Sequence, residues 1–147
     1  MDVLDVVKAD HNRVESWLEQ IKDEMGKQQR RLLFKNIAKE LELHAYAEEN
    51  VFYATLKKYP SMASLLKDSL ENHQEIRKLI QEIDQLQDQE VEFQNKILEL
   101  KNHVEAHVSL EESEIFVFVK HEIKAPDRER LGRLFLAIKR EYQESAA

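Results

Sequence analysis

Cysteine is absent from the 147 residues, so no disulfide, thiolate metal site or catalytic thiol is available. Glycine and proline occur only twice each, which leaves room for few, short connections. No apolar run approaches the length of a membrane span. The start, Met1-Asp2-Val3-Leu4-Asp5, carries acids where a signal peptide carries bases. Basic side chains number 22 against 29 acidic ones, giving a formal net charge of −7. They are scattered and form no stripe that would neutralise phosphates, so neither nucleic acid nor an anionic membrane is an expected partner. A soluble, cytoplasmic protein is expected.

What is present is 42% hydrophobic and 35% charged, the mixture of amphipathic helices with solvated outer faces. The length suits one domain over 1–147. Leu4, Val7, Val14, Leu18, Ile21 and Met25 recur at intervals of three and four, with His11 filling the one gap. Gly26 then offers a helix stop. A second helix is predicted over about 28–59, with the stripe Leu33, Ile37, Leu41, His44, Glu48, Val51 or Phe52, and Thr55; Pro60 breaks it. A third follows Ser61, with Leu66, Leu70, His73, Ile76, Ile80 and Ile83, and ends in the polar run Gln85 to Gln89. The fourth carries Ile97, Leu100, Val104, His107, Glu111 and Phe118 and stops before Ala125-Pro126. Leu131, Leu134, Phe135, Ile138 and Tyr142 mark a fifth, shorter helix. The fold class is therefore all-α: an up-down-up-down four-helix bundle over about 4–122, with a short additional C-terminal helix over about 127–144.

Polar residues on inward stripes are costly unless satisfied. In an antiparallel hairpin, residues at one height are equidistant from the turn. The midpoint of His11 and His44 falls beside Gly26-Lys27, that of His44 and His73 beside Tyr59-Pro60, and that of His73 and His107 beside Asp88-Gln89-Glu90. Each midpoint coincides with an independent turn signal, so the four histidines are expected in one layer. His44/Glu48 and His107/Glu111 share an i, i+4 spacing, which puts an imidazole and a carboxylate on the same helix face. Imidazole and carboxylate without thiolate suit iron, manganese or zinc, and inward His and Glu on facing helices are how dimetal sites are built in helix bundles. The plain alternative is four unrelated core histidines, each hydrogen-bonded locally; the repeated pairing and the shared level weigh against it.

Asp10-His11-Asn12, His44-x-x-x-Glu48-Glu49, Asn72-His73 and His107-x-x-x-Glu111-Glu112 together resemble the hemerythrin-like, or HHE cation-binding, family. The resemblance covers roughly 4–122, and the last helix resembles a C-terminal extension found in many bacterial members. It implies a non-haem centre of two iron ions, with manganese or zinc as substitutes. His11, His44, His73 and His107 are its implied terminal ligands and Glu48 and Glu111 its bridges; Glu111 is favoured over Glu112 because it repeats the His44/Glu48 spacing. The oxygen carriers of the family have a further histidine where this chain has Arg77. His103 shares with Arg77 the midpoint of His73 and His107, so His103 is expected to supply the fifth imidazole from the opposite wall. The resemblance implies a protein that binds or senses a small diatomic such as O₂ or NO, rather than an enzyme. The alternative is a redox enzyme acting on peroxide or nitric oxide, or an iron donor for iron–sulfur cluster repair. Glu49 and Glu112 are expected to be solvated or to sit behind the ligands, Tyr46 and Tyr53 to pack, Arg77 to pair with an acid at the core's edge, and His121 to serve a helix end.

Overall fold

The computed structural model describes residues 1–21, 26–86 and 89–146. Met25 in the first stripe, and Gln87 and Asp88 in the third turn, lie outside them. The described residues are helical throughout, with no strand. Helix α1 (Val3–Gln20) starts at Asp2, whose carboxylate accepts the Leu4 amide at 2.8 Å and the Asp5 amide at 3.3 Å. Helix α2 (Lys27–Ala47) starts at Gly26, whose amide is met by the Gln29 side chain. It continues through a π-helical turn at Glu48–Phe52 into the short α3 (Tyr53–Leu56). Pro60 opens a 3₁₀ turn, Pro60–Met62, that leads into α4 (Ala63–Asp84). Helix α5 (Glu90–Leu110) runs through a second π-helical turn, Glu111–Ile115, into α6 (Phe116–Glu122). Extended backbone at Ile123 then turns the chain into α7 (Ala125–Ala146). At 22 residues α7 is as long as α4, not the short helix expected.

Two apolar cores form. One gathers Val3, Val6, Phe52, Leu56, Ile115, Val119, Leu131 and Phe135; the other gathers Val14, Leu18, Phe34, Ile37, Ile83, Phe93, Ile97 and Leu100. A buried polar layer separates them on every helix that crosses: Asp10 and His11 on α1, His44 in the last turn of α2 and Glu48 just after it, His73 on α4, and His107 in the last turn of α5 and Glu111 just after it. Helices α1 and α4 pass from the first core to the second, and α2 and α5 pass back. Helix α4 packs on α5, while α7 lies on α1 and α2.

The π-turns correct the expected stripes. Each adds a residue to one turn, so everything after Glu48 and Glu111 is rotated by about one position. The residues fully buried are Phe52, one of the two expected alternatives, then Leu56 rather than Thr55, and Val119 rather than Phe118. On α7, Leu134 is 49% exposed and points outward, with Phe135 taking the core position.

Candidate metal centre

Each His-x-x-x-Glu pair brings its two side chains to one helix face just before a π-turn. The Glu48 carbonyl opens the first turn by accepting the Tyr53 amide, and the Glu111 carbonyl opens the second by accepting the Phe116 amide. The two carboxylates are fully buried. Around them the ligand atoms fall into two groups whose members lie within 4.8 Å of one another: His11, His44, Glu48 and Glu111, and Glu48, His73 and His107. Glu48 belongs to both. Its Oε1 lies 3.1 Å from His44 Nε2, 3.0 Å from His73 Nε2 and 3.5 Å from His107 Nε2. Glu111 spans the other side, with Oε1 2.9 Å from His11 Nε2 and Oε2 3.6 Å from His107 Nε2.

The outer nitrogens face carboxylates. His44 Nδ1–H donates to Asp10 at 2.8 Å, His73 Nδ1–H to Glu49 at 2.6 Å, and His11 Nδ1–H to Glu112 at 2.8 Å. Such partners keep a proton on Nδ1 and leave Nε2 as the inward donor. Among the described residues nothing pairs with His107 Nδ1. Tyr53 is wholly buried, and its hydroxyl donates to both shared carboxylates, to Glu48 at 3.2 Å and to Glu111. Burial and the two neighbouring carboxylates push the phenol well above its usual range, so it stays a donor.

Electrostatics make the layer receptive to positive charge. Burial opposes ionisation of Glu48, but the His44 charge and hydrogen bonds to Glu111, His107 and His44 overrule it and hold the carboxyl well below its usual range. Burial also opposes protonation of the histidines. It is overruled by Glu111 at His11, by Glu48 and Asp10 at His44, and at His73 by Glu48 and Glu49, which raise that imidazole to about 9. Leaving a buried carboxylate uncompensated costs on the order of several kcal/mol. His11 Nε2 and Glu111 Oε1 face each other at 2.9 Å and His44 Nε2 faces Glu48 Oε1 at 3.1 Å, yet neither contact has hydrogen-bond geometry, and Glu48 Oε2 is buried with no hydrogen-bond partner among the described residues. Inward imidazole nitrogens and carboxylate oxygens converging around Glu48 fit a bound cation, and a set without sulfur suits iron, manganese or zinc.

Of the seven residues singled out as ligands from sequence, six converge: His11, His44, Glu48, His73, His107 and Glu111. His103 is half-buried on α5, one turn before His107, and joins neither group. Arg77 does not reach the centre. It pairs with Glu42 at 3.2 Å and with Glu49 at 3.1 Å, and so steadies the acceptor of His73. Glu112 sits behind His11, on its outer nitrogen, and joins neither group of ligand atoms. Asp10 stands in the Asp10-His11-Asn12 motif without an expected role, and Tyr53 is expected to pack rather than to hydrogen-bond near a metal; the structure has both hydrogen-bonded to residues of the cluster. The spacing of Glu48 to Tyr53 is five, a helical neighbour only where a π-turn intervenes, and Asp10 is 34 positions from His44. A cavity of about 20 Å³ adjoins His44, His73 and His107, lined also by Leu41, Ile76, Ile80 and Arg77.

Buried imidazoles and carboxylates crossing an all-helical fold at one level define a cation-binding helical protein. Residues 2–119 match the model of the hemerythrin HHE cation binding domain, and the chain belongs to that family. A crystal structure of a hemerythrin HHE cation binding domain-containing protein, the Rv2633c homolog from Mycobacterium kansasii, superposes with a TM-score of 0.87 at 20% identity, over 99% of this chain and 90% of that one; this likeness is one of fold. A protein from Nostoc sp. (strain PCC 7120 / SAG 25.82 / UTEX 2576) called DNA nickase is 26% identical over 144 residues. That match takes in 98% of this chain but only 41% of the Nostoc protein. No helix among the described residues is long and apolar enough to cross a membrane.

Proposed function

We propose that the chain is a single hemerythrin-type unit that holds two iron ions and binds or senses O₂. In this reading α1, α2 with α3, α4, and α5 with α6 form an up-down-up-down bundle, and α7 is the added helix. His11 and His44 would hold one ion and His73 and His107 the other, with the Glu48 and Glu111 carboxylates serving both. The observation that carries the proposal is Glu48, a fully buried carboxylate shared by both groups of ligand atoms. Held there, a pair of ferrous ions would supply reversible two-electron chemistry toward O₂. The chain's own contribution is to orient Nε2 of three imidazoles through Asp10, Glu49 and Glu112, and to fix both bridges through the Tyr53 hydroxyl. The apolar walls keep water scarce, which slows irreversible oxidation. The small cavity beside His44, His73 and His107 gives a diatomic a place next to the ligand atoms.

A second reading, turnover of peroxide or nitric oxide, is favoured by one observation. The His73/His107 group offers two imidazoles where the His103 expectation would have given three, which leaves that position more open. The net charge of −7 disfavours a polyanionic substrate, so the activity in the name of the Nostoc relative is not part of the proposal.

Anaerobic titration with ferrous iron, followed by O₂ and watched by absorbance, separates the readings. An O₂-dependent spectrum that disappears when O₂ is removed is expected. Sustained consumption of peroxide over many turnovers supports the enzyme instead, and no response to O₂ overturns the first reading.

A further inference from the structure

Helix α7 carries none of the ligand atoms, yet one of its side chains reaches the metal layer. Lys139 Nζ donates to both oxygens of Asp10, at 2.9 and 3.0 Å, and to Glu40 at 2.8 Å. Asp10 in turn accepts His44 Nδ1–H at 2.8 Å. One turn earlier on α7, the Phe135 ring packs edge-on against the His44 imidazole, with centroids 5.8 Å apart. The two α7 residues lie four apart on one helix face and act on the same histidine, one on its ring and one through its hydrogen-bond acceptor. The lysine and aspartate side chains are 13% and 4% exposed, so water competes little for this contact.

We propose that Lys139 is a positioning residue of the metal centre, and that the docking of α7 and the occupancy of the centre are linked through Lys139, Asp10 and His44. The inference rests on the reading that His44 Nε2 binds metal. Asp10 can turn about its side-chain bonds, and where it points decides where Nε2 points. Arg13, 43% exposed, holds one Asp10 oxygen at 3.1 Å from the same helix. Lys139 holds both from another helix and joins them to Glu40 on α2, so α1, α2 and α7 close around the acceptor of His44. The corresponding acceptor of His73, Glu49, is held by Arg77 on α4, the helix that bears His73 itself. Among the described residues, the His44 side is tied to an element outside the ligand-bearing helices and the His73 side is not. Linkage is reciprocal: what α7 adds to metal affinity, bound metal adds to the docking of α7. A partner that competes for α7 would lower the metal affinity of the centre.

The test uses Zn²⁺ as probe on the full chain. Lys139→Met keeps the apolar stem and removes the charge and the donors. It is expected to retain the helical content while binding Zn²⁺ about tenfold or more weakly, the usual effect of losing an outer partner. Lys139→Arg should recover most of that loss, and Leu134→Ala, outward-facing on the same helix, should cause none. Two readings lie outside affinity: the His44 ring ¹⁵N signals of the metal-free protein should move in Lys139→Met, and Zn²⁺ should slow amide exchange across α7 in the unmodified chain but not in that variant. Lys139→Gln replaces it in the comparison if the methionine variant does not fold. Wild-type affinity with unmoved His44 signals overturns the inference and leaves the metal centre standing. An unmodified chain that takes up no Zn²⁺ overturns both.

Discussion

Glu48 is the residue at which the cost of the fold and its purpose meet. A carboxylate with no exposed surface is among the least favourable core residues. Here it is tolerated because imidazoles and the Tyr53 hydroxyl surround it. Tyr53→Phe preserves the ring packing and removes the donor to both bridges. Metal-free protein carrying it should lose about 1–3 kcal/mol in denaturant unfolding, the range for a hydrogen bond to a charged acceptor. A loss below about 0.5 kcal/mol would show that the hydroxyl does not hold the carboxylates. The histidines set a pH dependence. The folded His73 is raised to about 9 from an ordinary 6.5, because Glu48 and Glu49 overcome its burial. Its stabilisation is complete below 6.5 and fades as pH rises through about 9. Glu48 behaves oppositely: its folded carboxyl lies well below the ordinary 4.5, so its contribution is complete above 4.5 and lost as pH falls below that. The melting temperature of metal-free protein should therefore peak between the two ordinary values and decline on both sides. Bound metal replaces the Nε2 protons, so the alkaline decline should shrink in the loaded protein; an identical decline with and without metal would contradict this assignment.

At the scale of elements, helix existence was legible and helix phase was not. Apolar spacing, Gly26 and Pro60 located the breaks, because those signals are local. The π-turns at Glu48–Phe52 and Glu111–Ile115 were invisible, because they follow from burying a polar layer rather than from any residue's own preference. That is why Thr55 and Phe118 were read as inward where Leu56 and Val119 are. The contact between α7 and the start of α1 was equally hidden. It depends on Gly132, where an added Cβ would lie 2.5 Å from the Met1 carbonyl oxygen and 3.0 Å from the Asp2 carbonyl carbon. Alanine is the better helix former by roughly 1 kcal/mol, so propensity alone predicts that Gly132→Ala stabilises α7. The backbone approach predicts the opposite: overpacking of about 1–3 kcal/mol exceeds the propensity gain. A lowered melting temperature is expected, and a raised one would show that α1 yields without cost.

Across the whole molecule, the layer was legible because it is a relation between turns and histidines. Three successive midpoints matched three turn signals, and the structure places His11, His44, His73 and His107 between two apolar cores. What sits around the ligands was not legible, since Asp10 meets His44 from 34 positions away, Phe135 meets it from a separate helix, and Lys139 meets Asp10 from 129 positions away. The central claim is that this layer is built for two metal ions sharing Glu48. It is tested most directly by counting iron bound per chain in anaerobic titration of the unmodified protein and of Glu48→Ala. The account predicts about two equivalents for the former and loss of tight binding at both positions for the latter, since one carboxylate serves both. No binding by the unmodified chain, or two equivalents still held tightly without Glu48, would contradict it.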